Sequence, residues 1–524
     1  MNSKRPVSLM ALVVVVFAFM GVMTGGVQAI TPAAERAVIG VPQEPRTLLP
    51  HFDLLTLSHE VQSLVFDRLL TLDTDGDYLP RLAAVVPSVA NGGISPDGRT
   101  YTFTLREGVE WQDGQPFTSA DVKFTWEVIT NPDLPIPSRS IWDEVVSVET
   151  PDPYTIVFEF AEPNVAFLAV TARSNAFMLP KHLLEGEDIV NSSLNRNPVG
   201  TGPFTVQEWV SGSHIALERN PGYWQDDKPE LAEIVVRIIP GTEGQRAALQ
   251  RGELDVLLDI TSADLSFVEG LNQYQVVTTP TYAWWHFWLN NDDPVLSDGN
   301  VRRALVYGLD KAAITETVMQ GVNVPLDAVF PPAHWAHNPD VRTYPYDPAR
   351  AQELLEESGW TVGADGIRQK DGTRLRLEVL NIAGQAERLR VIQIAQAYWR
   401  DLGIDVQVRE IDGASFPPTM GSGDFQIAYG WFGEEHEPVF NLWLGTNWQN
   451  YDNQEAFDLL AQVPTTVEQS ERRALIQEFQ KLAAEDVPTL PLATRALLSA
   501  ARTDLQGYQP GLAGSLWNAA DWSK

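Results

Sequence analysis

The amino-acid sequence predicts an α/β fold with mixed sheets in more than one lobe, and three observations carry that prediction. One run, residues 95–128, reads as turn, strand, turn and helix in succession. Two well-punctuated helices follow, near 301–321 and 347–359. Short β-rich runs surround those helices.

In "SPDGRTYTFTLREGVEWQDGQPFTSADVKFTWEV" the turn is Pro96-Asp97-Gly98, and Tyr101, Phe103 and Leu105 then alternate onto one face, as in a half-buried strand. Asp113-Gly114 marks a second turn. Thr118 with Asp121 makes a capping-box-like start to a helix carrying Val122, Phe124 and Trp126. "NVRRALVYGLDKAAITETVMQG" places Val301, Ala304, Leu305 and Leu309 at helical spacing, with Gly321 at its end. In "YDPARAQELLEESG" Asp347 suits the cap, Pro348 the first helical position and Gly359 the left-handed residue after the end, while Leu354 and Leu355 form the buried stripe. "LRLEVLNI" and "GIDVQVREI" are the β-rich runs nearby.

At 524 residues the chain is long enough for two or more domains with large hydrophobic cores. It contains no cysteine, which excludes disulfides, thiolate metal sites, cysteine nucleophiles and a lipid anchor on an N-terminal cysteine. Residues 1–29 read as a cleavable export signal: Lys4 and Arg5, an apolar run from Leu9 to Met20, then the small-residue site Val27-Gln28-Ala29. That run is too short for a comfortable membrane span, and nothing later approaches 18 uninterrupted apolar residues, so an exported protein, periplasmic or extracellular, is expected. A net charge of −32 argues against nucleic acid as a partner and favours cations or zwitterions with an exposed amine.

Readable enzyme motifs are absent: there is no G-x-S-x-G elbow, P-loop, H-E-x-x-H or dinucleotide glycine fingerprint. His334 and His337 have a spacing that suits one metal, but the prolines on either side argue against a helix presenting both rings together. "AYGWFGEEHEP" sets Glu434, Glu435, His436 and Glu437 behind Trp431, a stretch that reads as a solvated loop, a metal nest or a clamp for something positively charged. In "TYAWWHFWLNND", strand geometry puts Trp284, His286 and Trp288 on one side and Trp285 and Phe287 on the other. One face is expected to be core, and the other to line a cleft where flat rings contact peptides or sugars.

Seven segments in a fixed order then carry a resemblance: "DGRTYTFTLREGVEWQDGQPFTSADVKFTWE", "NPVGTGPFTVQEWVSGSHIALERNPGYW", "RGELDVLLDI", "NVRRALVYGLDKAAI", "YDPARAQELL", "GDFQIAYGW" and "YDNQEAFDLL". In this order, and over nearly the whole chain after the signal, the sequence resembles the family 5 extracellular solute-binding proteins of ABC importers, the group with oligopeptide-, dipeptide- and nickel-binding members.

The resemblance implies a two-lobed periplasmic-binding-protein fold that closes about a hinge, with an extra inserted subdomain. Residues 36–80, 198–290 and 491–524 would form lobe I, 81–197 the insert and 291–490 lobe II. Gly200-Thr201-Gly202-Pro203 is then a structural turn rather than a phosphate loop. In peptide-binding members an aspartate after the "GW" tryptophan pairs with the ligand's amino terminus, and the matching position here is Glu434, a longer acid. The expected ligand-binding set is Trp431, Glu434, Tyr429, Trp284, Trp285 and Glu44, with no catalytic or metal-ligating residue and no cofactor. The implied function is capture of oligopeptides or dipeptides by a monomer that delivers them to a membrane permease. An oligosaccharide receptor on the same scaffold is the alternative, since a carboxylate beside Trp431 equally accepts sugar hydroxyls. A metal-chelate receptor and a secreted hydrolase stand behind it.

Overall fold

The computed structural model describes residues 35–173, 175–438 and 440–524, so the expected export signal at 1–29 lies outside the described residues. Two mixed sheets organise the chain. The first has seven strands in the order Tyr274–Thr279, Leu497–Arg502, Val256–Leu258, Arg36–Val41, Glu233–Ile238, His214–Arg219 and Phe204–Val210. Arg36–Val41 runs parallel to both of its neighbours, and its Ala37, Ile39 and Val41 are fully buried. Parallel strands covered on both faces require such apolar runs.

The second sheet has five strands, ordered Asp405–Ile411, Arg376–Ile382, Ile427–Gly433, Ala283–Leu289 and Thr489–Thr494. The first three are parallel, and Ala283–Leu289 pairs antiparallel on both sides. The chain therefore leaves the first sheet after Thr279 and enters the second at Ala283, not at residue 290 as expected, because Ala283–Leu289 finds its hydrogen-bond partners in the second sheet. It returns between Thr494 and Leu497. The two crossings lie side by side: Arg495 N donates to the Ala283 carbonyl at 2.9 Å, and the Thr281 hydroxyl donates to the Arg495 carbonyl.

A three-stranded antiparallel sheet, Thr100–Thr104, Thr155–Phe160 and Val145–Asp152, lies within the stretch expected as the insert. It packs with the helix Ser119–Thr130, whose Thr118–Asp121 capping box forms: Thr118 N donates to Asp121 Oδ2 at 2.9 Å. The helix Pro348–Glu357 is capped as expected, with Arg350 N donating to Asp347 Oδ1 at 2.9 Å and Gly359 at φ +84°.

The segment 300–321 departs from the single helix its periodicity suggests. It forms two helices, Gly299–Tyr307 and Lys311–Thr317, broken at Gly308. A Cβ at Gly308 would collide with Leu402, and Asp310 starts a new helix by accepting from Ala313 N at 2.9 Å. The Gly200–Pro203 turn is structural. Gly202 N donates to the Val65 carbonyl at 2.8 Å, and a Cβ at either glycine would overlap the Val65 backbone.

Candidate functional site

A cavity of about 420 Å³ opens where the first sheet's lobe, the insert and the second sheet's lobe meet. The first lobe supplies Thr56, His59, Glu60 and the turn 511–514; the insert supplies Ala172 and Arg173; the second lobe supplies Tyr282 and Gly433 to His436. Local structure fixes the last group. Gly433 ends the strand Ile427–Gly433 opposite Ala283, and Glu434 N still bonds to the Tyr282 carbonyl at 3.4 Å, which carries Glu434 to the edge of the cavity it lines.

The four polar residues of "GEEHEP" then diverge. Glu434 is 7 % exposed, and its Oε2 accepts from Phe440 N at 3.3 Å. Glu435 reaches across to Arg173 of the insert at 3.0 Å. His436 is buried with Nδ1 2.9 Å from the Tyr282 hydroxyl and its ring edge-on to Tyr78 at 4.8 Å; burial, helped by Arg472, lowers its pKa to about 4. Glu437 turns away into a buried pair with Arg472. Glu434 and Glu435 thus face the cavity, while Glu437 anchors the loop. His334 and His337 also part company: His334 Nε2 meets the Glu435 carbonyl at 3.0 Å and His337 Nδ1 the Phe330 carbonyl at 2.8 Å. Among the described residues no group of three or more His, Cys, Asp or Glu is placed to hold a metal.

The aromatic expectations need correction. Trp284, expected as a ligand contact, is 0 % exposed and packed with Phe330 and Leu326 in the core. Phe287 on the other face is equally buried, because Ala283–Leu289 has a strand on each side and helices over both faces. Trp285 is only half-buried; it stacks on Tyr429 with centroids 5.6 Å apart and planes 19° from parallel. Tyr429 is fully buried and supports Trp285 from beneath. Trp431, directly opposite Trp285 in the antiparallel pairing, is 49 % exposed with the Arg495 guanidinium 4.4 Å from its ring centre.

Glu44 does not line the cavity. Its carboxylate accepts from Trp209 Nε1 at 2.7 Å and Gly212 N at 3.0 Å, bracing the hairpin 204–219. Partial desolvation pushes its pKa up, but those hydrogen bonds, with Ser211 and Arg196, outweigh it and lower the value overall. Arg173, Asp259 and Arg495 are charged residues beside the cleft that sequence reasoning missed. No local pattern marks them, since their neighbours come from remote parts of the chain.

Comparison with known proteins joins this geometry to a lineage. Residues 84–453 match the bacterial extracellular solute-binding proteins, family 5. The chain belongs to that family. As a family 5 member it is a two-lobed binding receptor rather than an enzyme. It is 28 % identical over 495 residues to the glutathione-binding protein GsiB of Salmonella typhi, covering 91 % of this chain and 92 % of the relative. NikZ from Campylobacter jejuni, solved with Ni(L-His), superposes with a TM-score of 0.77 at 25 % identity, covering 94 % of this chain and all of that one. The oligopeptide-binding protein AppA from Bacillus subtilis, solved with a nonapeptide, gives 0.75 at 23 %, covering 93 % and 98 %. Relatives with such different ligands share one scaffold, so the fold alone does not name the ligand.

Proposed function

We propose that this receptor captures short peptides by their free amino terminus in the interlobe cleft and delivers them to the permease of an ABC transporter. The observation that carries the reading is Glu434: a carboxylate 7 % exposed, at the point where both lobes and the insert meet. A ligand ammonium enclosed there needs a counter-charge, and a carboxylate held by a backbone N–H is preorganised to provide one. The two lobes close on the ligand about the paired crossings, and the closed form docks the permease. Export by the 1–29 signal, action as a monomer and the division into two lobes and an insert complete the proposal.

Native mass spectrometry of the protein as purified, followed by denaturation and identification of released molecules, tests it. A heterogeneous set of short peptides is the expected result; masses spaced by hexose units would overturn it. Glu434→Gln should then weaken peptide binding by at least about 30-fold, the equivalent of about 2 kcal/mol for truncating a buried charge pair. A second reading, an oligosaccharide receptor, draws on the exposed ring of Trp431, and predicts that Glu434→Gln is tolerated while Trp431→Ala is not.

A further inference from the structure

Arg495 is the residue of this region whose chemistry the proposed reading leaves unused. It lies in the second crossing between the sheets, and its backbone is tied on both sides, by its N–H to Ala283 and by its carbonyl to the Thr281 hydroxyl. Its side chain forms no hydrogen bond or ion pair among the described residues, although the surrounding protein desolvates it and lowers its pKa. The guanidinium instead lies over aromatic rings, 4.4 Å from the centre of Trp431 and 6.0 Å from that of Trp285.

The sheet builds this platform. Trp285 and Trp431 sit directly opposite each other in antiparallel register, so both rings project from the same face, and Tyr429 stacks beneath Trp285. Facing it from the first lobe is Asp259, a non-glycine residue in the left-handed region at φ +57°, whose charge acts on Arg495 through space without an ion pair at contact distance. A guanidinium has five N–H donors in a planar fork that matches a carboxylate, and cation–π contact satisfies none of them. In a chain with net charge −32, a half-buried arginine left with its whole fork available is an exception that invites an anion.

We propose that Arg495, held over the Trp285–Trp431 platform, is a second ligand-binding residue that receives a carboxylate of the ligand. This deepens the peptide reading and rests on it for the position of the amino end. Glu434 N bonds to the strand Ala283–Leu289 side at Tyr282, and Arg495 N bonds to Ala283 from the opposite edge. The two backbones therefore flank that strand, one strand spacing to each side, about 10 Å apart. An extended tripeptide spans about 10 Å. A short zwitterion can then place its ammonium at Glu434 and its carboxylate at Arg495.

Calorimetric titration of the ligand-stripped full chain tests this with two matched pairs: tri-alanine against its C-terminal amide, and glutarate against glutaramide. Wild type should prefer tri-alanine over the amide by at least 10-fold; Arg495→Gln should remove the preference and Arg495→Lys retain part of it. Because the Arg495 side chain makes no hydrogen bond, both variants should keep the wild-type melting temperature, which shows that a lost preference is not lost folding. Equal wild-type affinity for acid and amide, or a preference that survives Arg495→Gln, would overturn the inference. If the peptides do not bind but glutarate does, in an Arg495-dependent way, the carboxylate subsite stands and the peptide reading falls. Binding of neither acid overturns both.

Discussion

Replacing Arg472 by methionine isolates the anchor beneath the candidate site. Arg472 and Glu437 have side chains 6 % and 5 % exposed, joined by two hydrogen bonds of 3.1 and 2.8 Å, and Arg472 also donates to the Thr466 and Val467 carbonyls at 3.0 and 2.6 Å. Methionine keeps most of the volume but leaves a buried carboxylate and two carbonyls without their donor. Breaking a buried pair from one side costs about 3–5 kcal/mol. At about 2–4 °C per kcal/mol for a domain of this lobe's size, melting of the second lobe should fall by about 6–20 °C. The pH dependence has a definite sign. Burial already raises the pKa of Glu437 while Arg472 pulls it down, so removing Arg472 raises it further. A carboxyl raised in the folded state favours the fold when protonated, and that contribution is lost as pH rises through its folded value. The Arg472→Met deficit should therefore be larger at pH 8 than at pH 5. The Arg472→Met/Glu437→Gln double variant should recover at least half of it, because it leaves no buried charge. Thermal and urea denaturation of the three proteins measure these values. A single variant within about 1 kcal/mol of wild type, or a deficit independent of pH, would refute the reasoning.

Four further outcomes are expected. Burial lowers the pKa of His51 and His436 to about 4 and of His286 and His334 to about 3, so the folded protein holds them neutral; stability should decline as pH falls below the ordinary histidine value of 6.5 and go on falling towards 4, read by urea midpoints across that range. Gly202→Ala should destabilise by at least about 1–3 kcal/mol, since its Cβ would sit 2.5 Å from the Val65 carbonyl carbon, and should lower the melting temperature. Trp284→Ala should cost about 3–5 kcal/mol of stability as a core cavity, whereas Trp431→Ala should leave melting unchanged and weaken ligand binding. Arg173→Ala removes a half-exposed tie between insert and second lobe worth at most about 1 kcal/mol, so it should shift the closed population by no more than about 5-fold, measured by small-angle scattering with and without ligand.

What the sequence by itself determined is the part of the structure written in short-range chemistry. Thr118 with Asp121, Asp347 before Pro348, and Gly359 at the end of its helix act within four residues of the groups they satisfy, and the structure uses each as expected. The order of seven segments pointed to the family that residues 84–453 match. Only the tertiary structure decided which surfaces those elements meet. Ala283–Leu289 buries Trp284 and Phe287 on opposite faces, leaving Trp285 half-buried, because Ile427–Gly433 and Thr489–Thr494, well over a hundred residues away, close on both edges and bring helices with them. The 300–321 segment forms two helices, because Gly308 ends the first and Asp310 caps a second by accepting from Ala313 N, while Leu402 packs where a Cβ at Gly308 would sit. "GEEHEP" divides its charges between the cavity and a buried anchor because Arg472 lies under one end and Arg173 reaches the other. Arg495 acquires its aromatic platform only when the two crossings pair side by side. Burial and charge pairing are properties of neighbours in space, and periodicity along the chain records only half of each contact.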